Sequence, residues 1–264
     1  MKTILSFLCL LIASTVFSQT QLKNRDTTEQ KNALSVSELF VIGKKTYQED
    51  YTPFKGHSRG FHVGFMNFAH LPEMYDRMKL KGSGSFTFQF NIFNHNIGLN
   101  KRNNIGLITG LGLEYQRFRL DNSDYTLAKI DGTTSLVNAK KRYSDIESVK
   151  RSSFKNLYLT IPLMLEVQFP ASKYASKRFY VSGGFMGGVR MHSKTKVVYH
   201  NTNHKIEKQK QKGNFNVVPF KMDAIARIGY SKISIWGGYT ITNLFKDKNP
   251  TDLNVYTIGF GLNI

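Results

Sequence analysis

Leu157-Tyr158-Leu159-Thr160-Ile161-Pro162-Leu163-Met164-Leu165-Glu166-Val167-Gln168-Phe169 carries an apolar residue at every odd position and a mostly polar set, Tyr158, Thr160, Pro162, Met164, Glu166 and Gln168, at the even ones. A period of two is the signature of an extended strand with two unlike faces. Pro162 lacks the N–H that a ladder needs, so a local bulge is expected there. The same alternation recurs on both sides of this stretch. Ile105 to Phe118 sets Ile105, Leu107, Leu111, Leu113 and Tyr115 against Gly106, Gly110, Gly112, Glu114 and Gln116. Phe179 to Met191 sets Phe179, Val181, Phe185, Val189 and Met191 against Ser182, Gly184, Gly188 and Arg190, and Phe86, Phe88, Phe90 and Ile92 oppose Ser85, Thr87, Gln89 and Asn91. Phe220 to Ile228, Ile233 to Ile241 and Tyr256 to Ile264 follow the rule, and a weaker first strand lies near Gly60 to Phe68.

That makes eight strands whose connections alternate in length: long at 69–84, short at 100–104, long at 119–153, moderate at 170–177, long at 193–214, very short at 230–232 and intermediate at 243–253. Short turns on one rim and long loops on the other describe an eight-stranded antiparallel up-and-down transmembrane β-barrel with short periplasmic turns and long extracellular loops. A soluble lipocalin-type barrel has the same period with its apolar face turned inward. The polar face favours the membrane reading: it is largely Gly, Ser and Thr, which suits a narrow lumen, while charges gather in the loops. Aromatic residues fall near strand ends, Phe169, Phe179 and Tyr230 toward the short turns and Tyr115, Tyr239 and Tyr256 toward the long loops, where interfacial girdles belong.

The N-terminus carries Lys2, the apolar run Ile4 to Phe17 and then Ser18-Gln19, the pattern of a secretory signal removed after residue 18. The run is too short for a spanning helix. Cys9, the only cysteine, lies within it, so disulfides, cysteine metal sites and cysteine nucleophiles are excluded from residues 19–264. The organisation expected is a signal over 1–18, a polar periplasmic lead-in over 19–58 with one apolar cluster at Leu39 to Ile42, and a barrel over 59–264. A ten-stranded barrel drawing on residues 19–57 is the alternative. The formal net charge of +19 loses only Lys2 with the signal, so the basic excess draws the exported chain toward polyanions. Lipid phosphates are the expected partners, and nucleic acid is not, because the Lys-rich segments lack interleaved aromatics.

The segments Asn156 to Glu166, Phe179 to Lys196 and Tyr256 to Ile264 resemble the PorT-like outer-membrane β-barrel family common in Bacteroidetes, over roughly residues 58–264. The resemblance implies an eight-stranded barrel. It implies little about activity, although the family's namesake serves protein secretion.

Two sets of residues are candidates for function. Glu114, Glu166, Arg190, Asp223 and Arg227, with Lys221 beside them, project onto the polar face. Glu166 and Arg227 fall near the short turns, Glu114 and Arg190 toward the long loops, and charge pairs at two levels would close so narrow a lumen. Such a network is either structural or the lining of a gated ion path. The second set is the basic loop with Lys194, Lys196, Lys205, Lys208, Lys210 and Lys212 against the single acid Glu207. It either meets lipopolysaccharide phosphates or is a solvated loop. His200 and His204 lack a nearby carboxylate to complete a metal set. His192-Ser193 points to opposite faces of a strand and makes no nucleophile and base pair, so neither a cofactor nor a catalytic site is expected. Three functions follow: a structural or interaction barrel acting through its extracellular loops, an accessory of secretion or transport, and an outer-membrane lipid-modifying enzyme.

Overall fold

The computed structural model describes residues 53–71, 73–130, 133–143, 145–170, 178–246 and 253–264. The expected signal, the Leu39 to Ile42 cluster and the rest of residues 1–52 lie outside them. Eleven strands form among the described residues: β1 (Gly60–Phe68), β2 (Phe86–Gly98), β3 (Ile105–Arg119), β4 (Tyr125–Ile130), β5 (Thr133–Asn138), β6 (Ile146–Pro170), β7 (Arg178–Asn201), β8 (Ile206–Lys212), β9 (Phe220–Tyr230), β10 (Ile233–Thr240) and β11 (Val255–Asn263).

Eight of these close into an antiparallel barrel in the order β1-β2-β3-β6-β7-β9-β10-β11, and β1 pairs with β11 from Gly60↔Asn263 to Phe68↔Val255. The seam is complete without a contribution from residues before Gly60, so the ten-stranded alternative does not hold. Cross-strand register can be followed round the wall from Phe169 through Phe179, Tyr230, Ile233, Leu262, Phe61, Phe90 and Leu113 to Leu159. The path returns to β6 ten residues from its start. At ~3.3 Å per residue and ~4.8 Å between strands, that stagger inclines eight strands by roughly 40°.

The two faces resolve the choice between membrane and soluble barrel. Outward apolar residues are bare, Phe260 at 65% exposure and Ile258 at 61%, whereas inward His62, Thr87, Thr160 and Glu166 are at 0%. An apolar band outside a polar, filled interior is the inverse of a lipocalin. The girdles form as rows: Phe169 opposes Phe179 and Phe179 opposes Tyr230 near the short turns, and Tyr239 opposes Tyr256 at the far side.

The bulge expected at Pro162 is absent there. Pro162 faces inward, pairs with Met186, and the β3–β6 register continues past it from Thr109↔Leu163 to Gly112↔Thr160. The missing donor is accommodated by a gap in pairing at Gly110 and Leu111. The irregularity sits one strand further on, between Asn91 and Phe93 of β2, where Ile92 and Phe93 both face outward.

In their described residues the long connections carry folded structure. β6 and β7 run on beyond the barrel wall and pair as far as Ile146↔Asn201, β8 adds to the extended β7, and β4 and β5 form a separate hairpin that leads into one helical turn at Ala139–Arg142. Met78 and Leu80, Leu120 and Leu127, Phe215 and Val217, and Leu244, Phe245 and Leu253 come from the four long connections. They share one apolar cluster with Phe68, Phe118 and Phe154 from the strand ends.

Candidate functional site

The lumen is occupied in layers. At the short-turn rim the chain before β1 turns inward, so Phe54 to Ser58, expected to end the lead-in, lie inside the wall. Phe54 is buried with Ile108, Met164, Met186, Ile225 and Trp236. Gly106 makes room for its ring, since a Cβ there would strike it. The His57 backbone N–H donates to the Glu166 carboxylate at 3.2 Å, and its Nδ1 lies 2.8 Å from Glu166 Oε1. The imidazole stacks on Tyr180 with centroids 4.1 Å apart and planes within 5°. Arg227 Nη1 donates to the His57 carbonyl at 2.9 Å, so Glu166 and Arg227 are joined through residue 57 rather than to each other. Gln168 donates to Glu166 and to the Lys55 carbonyl, both at 2.7 Å, and accepts from Arg178 at 2.9 Å.

Toward the long loops a second charged layer forms. Lys221 Nζ lies 2.6 Å from Glu114 Oε2 and 2.5 Å from Asp223 Oδ2, above the Tyr158 ring. Thr87 and Gln116 donate to the other Glu114 oxygen at 3.0 and 2.9 Å. One ammonium thus holds two carboxylates: Glu114 has further donors on its other oxygen, whereas Asp223 Oδ1 has no hydrogen-bond partner among the described residues, so the shared cation is what makes this buried charge tolerable. Arg190, expected to pair with Glu114, does not join. A bulge sets both Met191 and His192 opposite Leu157, and the Arg190 guanidinium turns to the Asn214 carbonyl at 2.8 Å. Above this layer Phe118 lies 6.0 Å from Phe154, which meets Phe215 edge-on at 5.7 Å and Phe245 at 6.2 Å. The aromatic cap covers the long-loop mouth.

The six lysines of the basic loop are placed on a hairpin. Lys194 opposes Lys212 and Lys196 opposes Lys210 across β7 and β8, Lys208 faces Val198, and Lys205 is exposed at the turn. Glu207, the acid among them, projects to the other side of β8, where its carboxylate accepts from Tyr199 Oη and Asn201 Nδ2. His204 pairs with Glu147 at 2.9 Å. Ser193 is buried and donates to Asn156 Oδ1 at 2.7 Å, on the inner side, while His192 stands outward opposite Leu157. Sequence reasoning missed His57, Tyr180 and Gln168 in the first charged layer. His57 precedes the first strand and has no alternation to reveal which way it turns.

Among curated proteins no match is found. Of solved structures, the attachment invasion locus protein Ail of Yersinia pestis is 13% identical, with a TM-score of 0.29 over 78% of this chain and 100% of that one. The same Ail in complex with the heparin analogue sucrose octasulfate gives 13% and 0.28 over the same shares. Outer membrane phospholipase A from Escherichia coli, as an active-site mutant, gives 11% and 0.22 over 83% of this chain and 95% of that one. Likenesses of this size decide nothing about the present chain. The family described as outer membrane protein beta-barrel domain matches residues 47–246, three quarters of the sequence and seven of the eight wall strands. With its bare apolar band and polar, filled interior, the chain belongs to that outer-membrane β-barrel family.

Proposed function

We propose that this protein is a closed, non-conducting and non-enzymatic barrel that acts through its extracellular superstructure. Its basic hairpin meets the phosphates of outer-membrane lipids, lipopolysaccharide among them. The observation that carries the reading is the contrast between a lumen filled from Phe54 to the Phe154 cap and four outer connections that share one folded core. Function then resides in what that core displays. The signal over residues 1–18 supports export through cleavage of a leader, and the PorT-like resemblance supports a place within that branch of outer-membrane barrels. Expressed with its leader, the protein should show a heat-dependent shift on denaturing gels. In planar bilayers neither wild type nor Glu166→Ala should give unitary conductance. Channel events from the wild type would overturn the closed reading.

A further inference from the structure

The hairpin lysines are one edge of a larger surface that only the strand register reveals. On the outward face of the extended sheet, Arg117 of β3 opposes Lys155 of β6, which opposes Lys194 of β7, which opposes Lys212 of β8. In the next row Arg119, Ser153, Lys196 and Lys210 follow one another, and a third holds Arg151, Val198 and Lys208. Nine cations occupy eleven positions in these three rows, and none of the eleven is acidic. The hairpin's own acid, Glu207, is turned away.

The wall begins directly above the lipid-facing surface. Lys155 Nζ lies 5.7 Å from the Tyr115 ring centroid and Arg117 Cζ lies 5.6 Å from that of Phe86, so the first row rests on the outer aromatic girdle. Below it the same columns continue as Leu113, Leu157 and Leu159. Beside the row, β7 leaves its partner β9 at Val189 and meets β8 only at Lys194. The step is an open cleft of about 400 Å³ lined by Arg190, Met191, His192 and Lys212 among others. Desolvation, and after it the neighbouring Lys155, Lys208, Arg151 and Lys210, hold the Lys196 ammonium below the ordinary lysine range. Among the described residues, the charges that act on Lys196 are all of its own sign.

Cations in one row stand ~4.8 Å apart, and successive outward residues on one strand ~6.7 Å apart, so each tetrahedral anion touches two to four of them. Nine cations exceed what one phosphate uses. We infer that the outward face of β3, β6, β7 and β8 is a docking wall for the multiply phosphorylated headgroup of an outer-leaflet glycolipid, which arrives laterally with its acyl chains against the Leu157 column. The lipid source follows from continuity with the apolar band, because a soluble polyanion would gain nothing from that position. This inference rests on the proposed engagement of outer-membrane lipid phosphates and adds the site and the ligand class.

The test uses the full-length protein in phosphatidylcholine nanodiscs doped with bisphosphorylated lipid A or with its dephosphorylated form, bound lipid being counted by native mass spectrometry. Wild type should retain the phosphorylated form at least about tenfold over the other, the effect of one lost charge-assisted contact. The triple variant Arg117→Gln, Lys155→Gln and Lys194→Gln should lose that preference while keeping the heat-dependent gel shift. A control with equal charge loss at the opposite rim, Lys101→Gln, Arg178→Gln and Lys232→Gln, should keep the preference. If both triple variants bind as wild type does, the wall is refuted and the broader lipid reading stands. If wild type shows no preference, both fall. Equal displacement by free tripolyphosphate would assign the surface to a soluble polyanion and overturn the lipid commitment.

Discussion

The interior and the outward wall of the same strands treat charge in opposite ways. Inside, Lys221 is matched by Glu114 and Asp223, and Glu166 by the backbone and ring of His57 with Gln168. Outside, Arg117, Lys155, Lys194 and Lys212 stand in a row with no acid in it. A buried charge without a partner costs several kcal/mol, and the lumen answers its charges within the chain, Lys221 with two carboxylates and Glu166 and Arg227 each through His57. A solvated cation costs little, and the wall can leave its neutralisation to something outside the chain.

Substitutions should therefore rank by side. Lys221→Met has the largest expected effect. It leaves Glu114 and Asp223 facing each other without a cation, and breaking such a pair costs about 3–5 kcal/mol. The urea midpoint of the compact gel band in detergent should fall accordingly, and an unchanged midpoint would show that the triad is not an internal pair. Phe154→Ala removes the ring on which Phe118, Phe215 and Phe245 converge, at a cost of about 3 kcal/mol, and should also raise protease sensitivity in the outer connections. Tyr180→Phe removes the hydroxyl that accepts from Asn263 Nδ2 and should cost about 1 kcal/mol by the same midpoint.

On the wall the sign reverses. Lys196→Gln should shift stability by no more than about 0.5 kcal/mol, and upward, since it relieves repulsion. Because the folded pKa of Lys196 lies below its unfolded value, its charge is a penalty on folding below the folded pKa, and the penalty fades as pH rises through the lysine range. The gap between variant and wild type should therefore close between neutral and alkaline pH. A gap that widens would contradict the crowding of cations.

The wall strands were legible because a one-residue slip would turn every apolar side chain into the lumen, so alternation and pairing must agree at Leu157 to Phe169 and again at Tyr256 to Ile264. The bulge was misplaced because a proline's missing donor needs only a gap in one ladder, here at Gly110 and Leu111. The lumen charges were legible as inward positions but not as partners. Tyr158 opposes Glu114 on one side and Arg190 on the other and so stands between them, and alternation along a strand does not say which inward residues meet. The cationic rows were legible only on the hairpin, where six lysines are close in sequence. Arg117 and Arg119 lie on β3 and Arg151 and Lys155 on β6, and they join the hairpin lysines only through register.

The inward turn of Phe54 to Ser58 bears on how the barrel assembles. His57 meets partners 109 and 170 positions away in the chain, and the residues just beyond it enter the seam with the last strand. Contacts of such sequence separation form late and slowly, because their loop-closure entropy is lost before they stabilise anything. Since the segment is tethered to β1, its seating and the meeting of β1 with β11 are expected to fall in one kinetic event. Phe54→Ala should then slow the appearance of the compact band more than it hastens its loss, the mark of a residue engaged in the folding transition state.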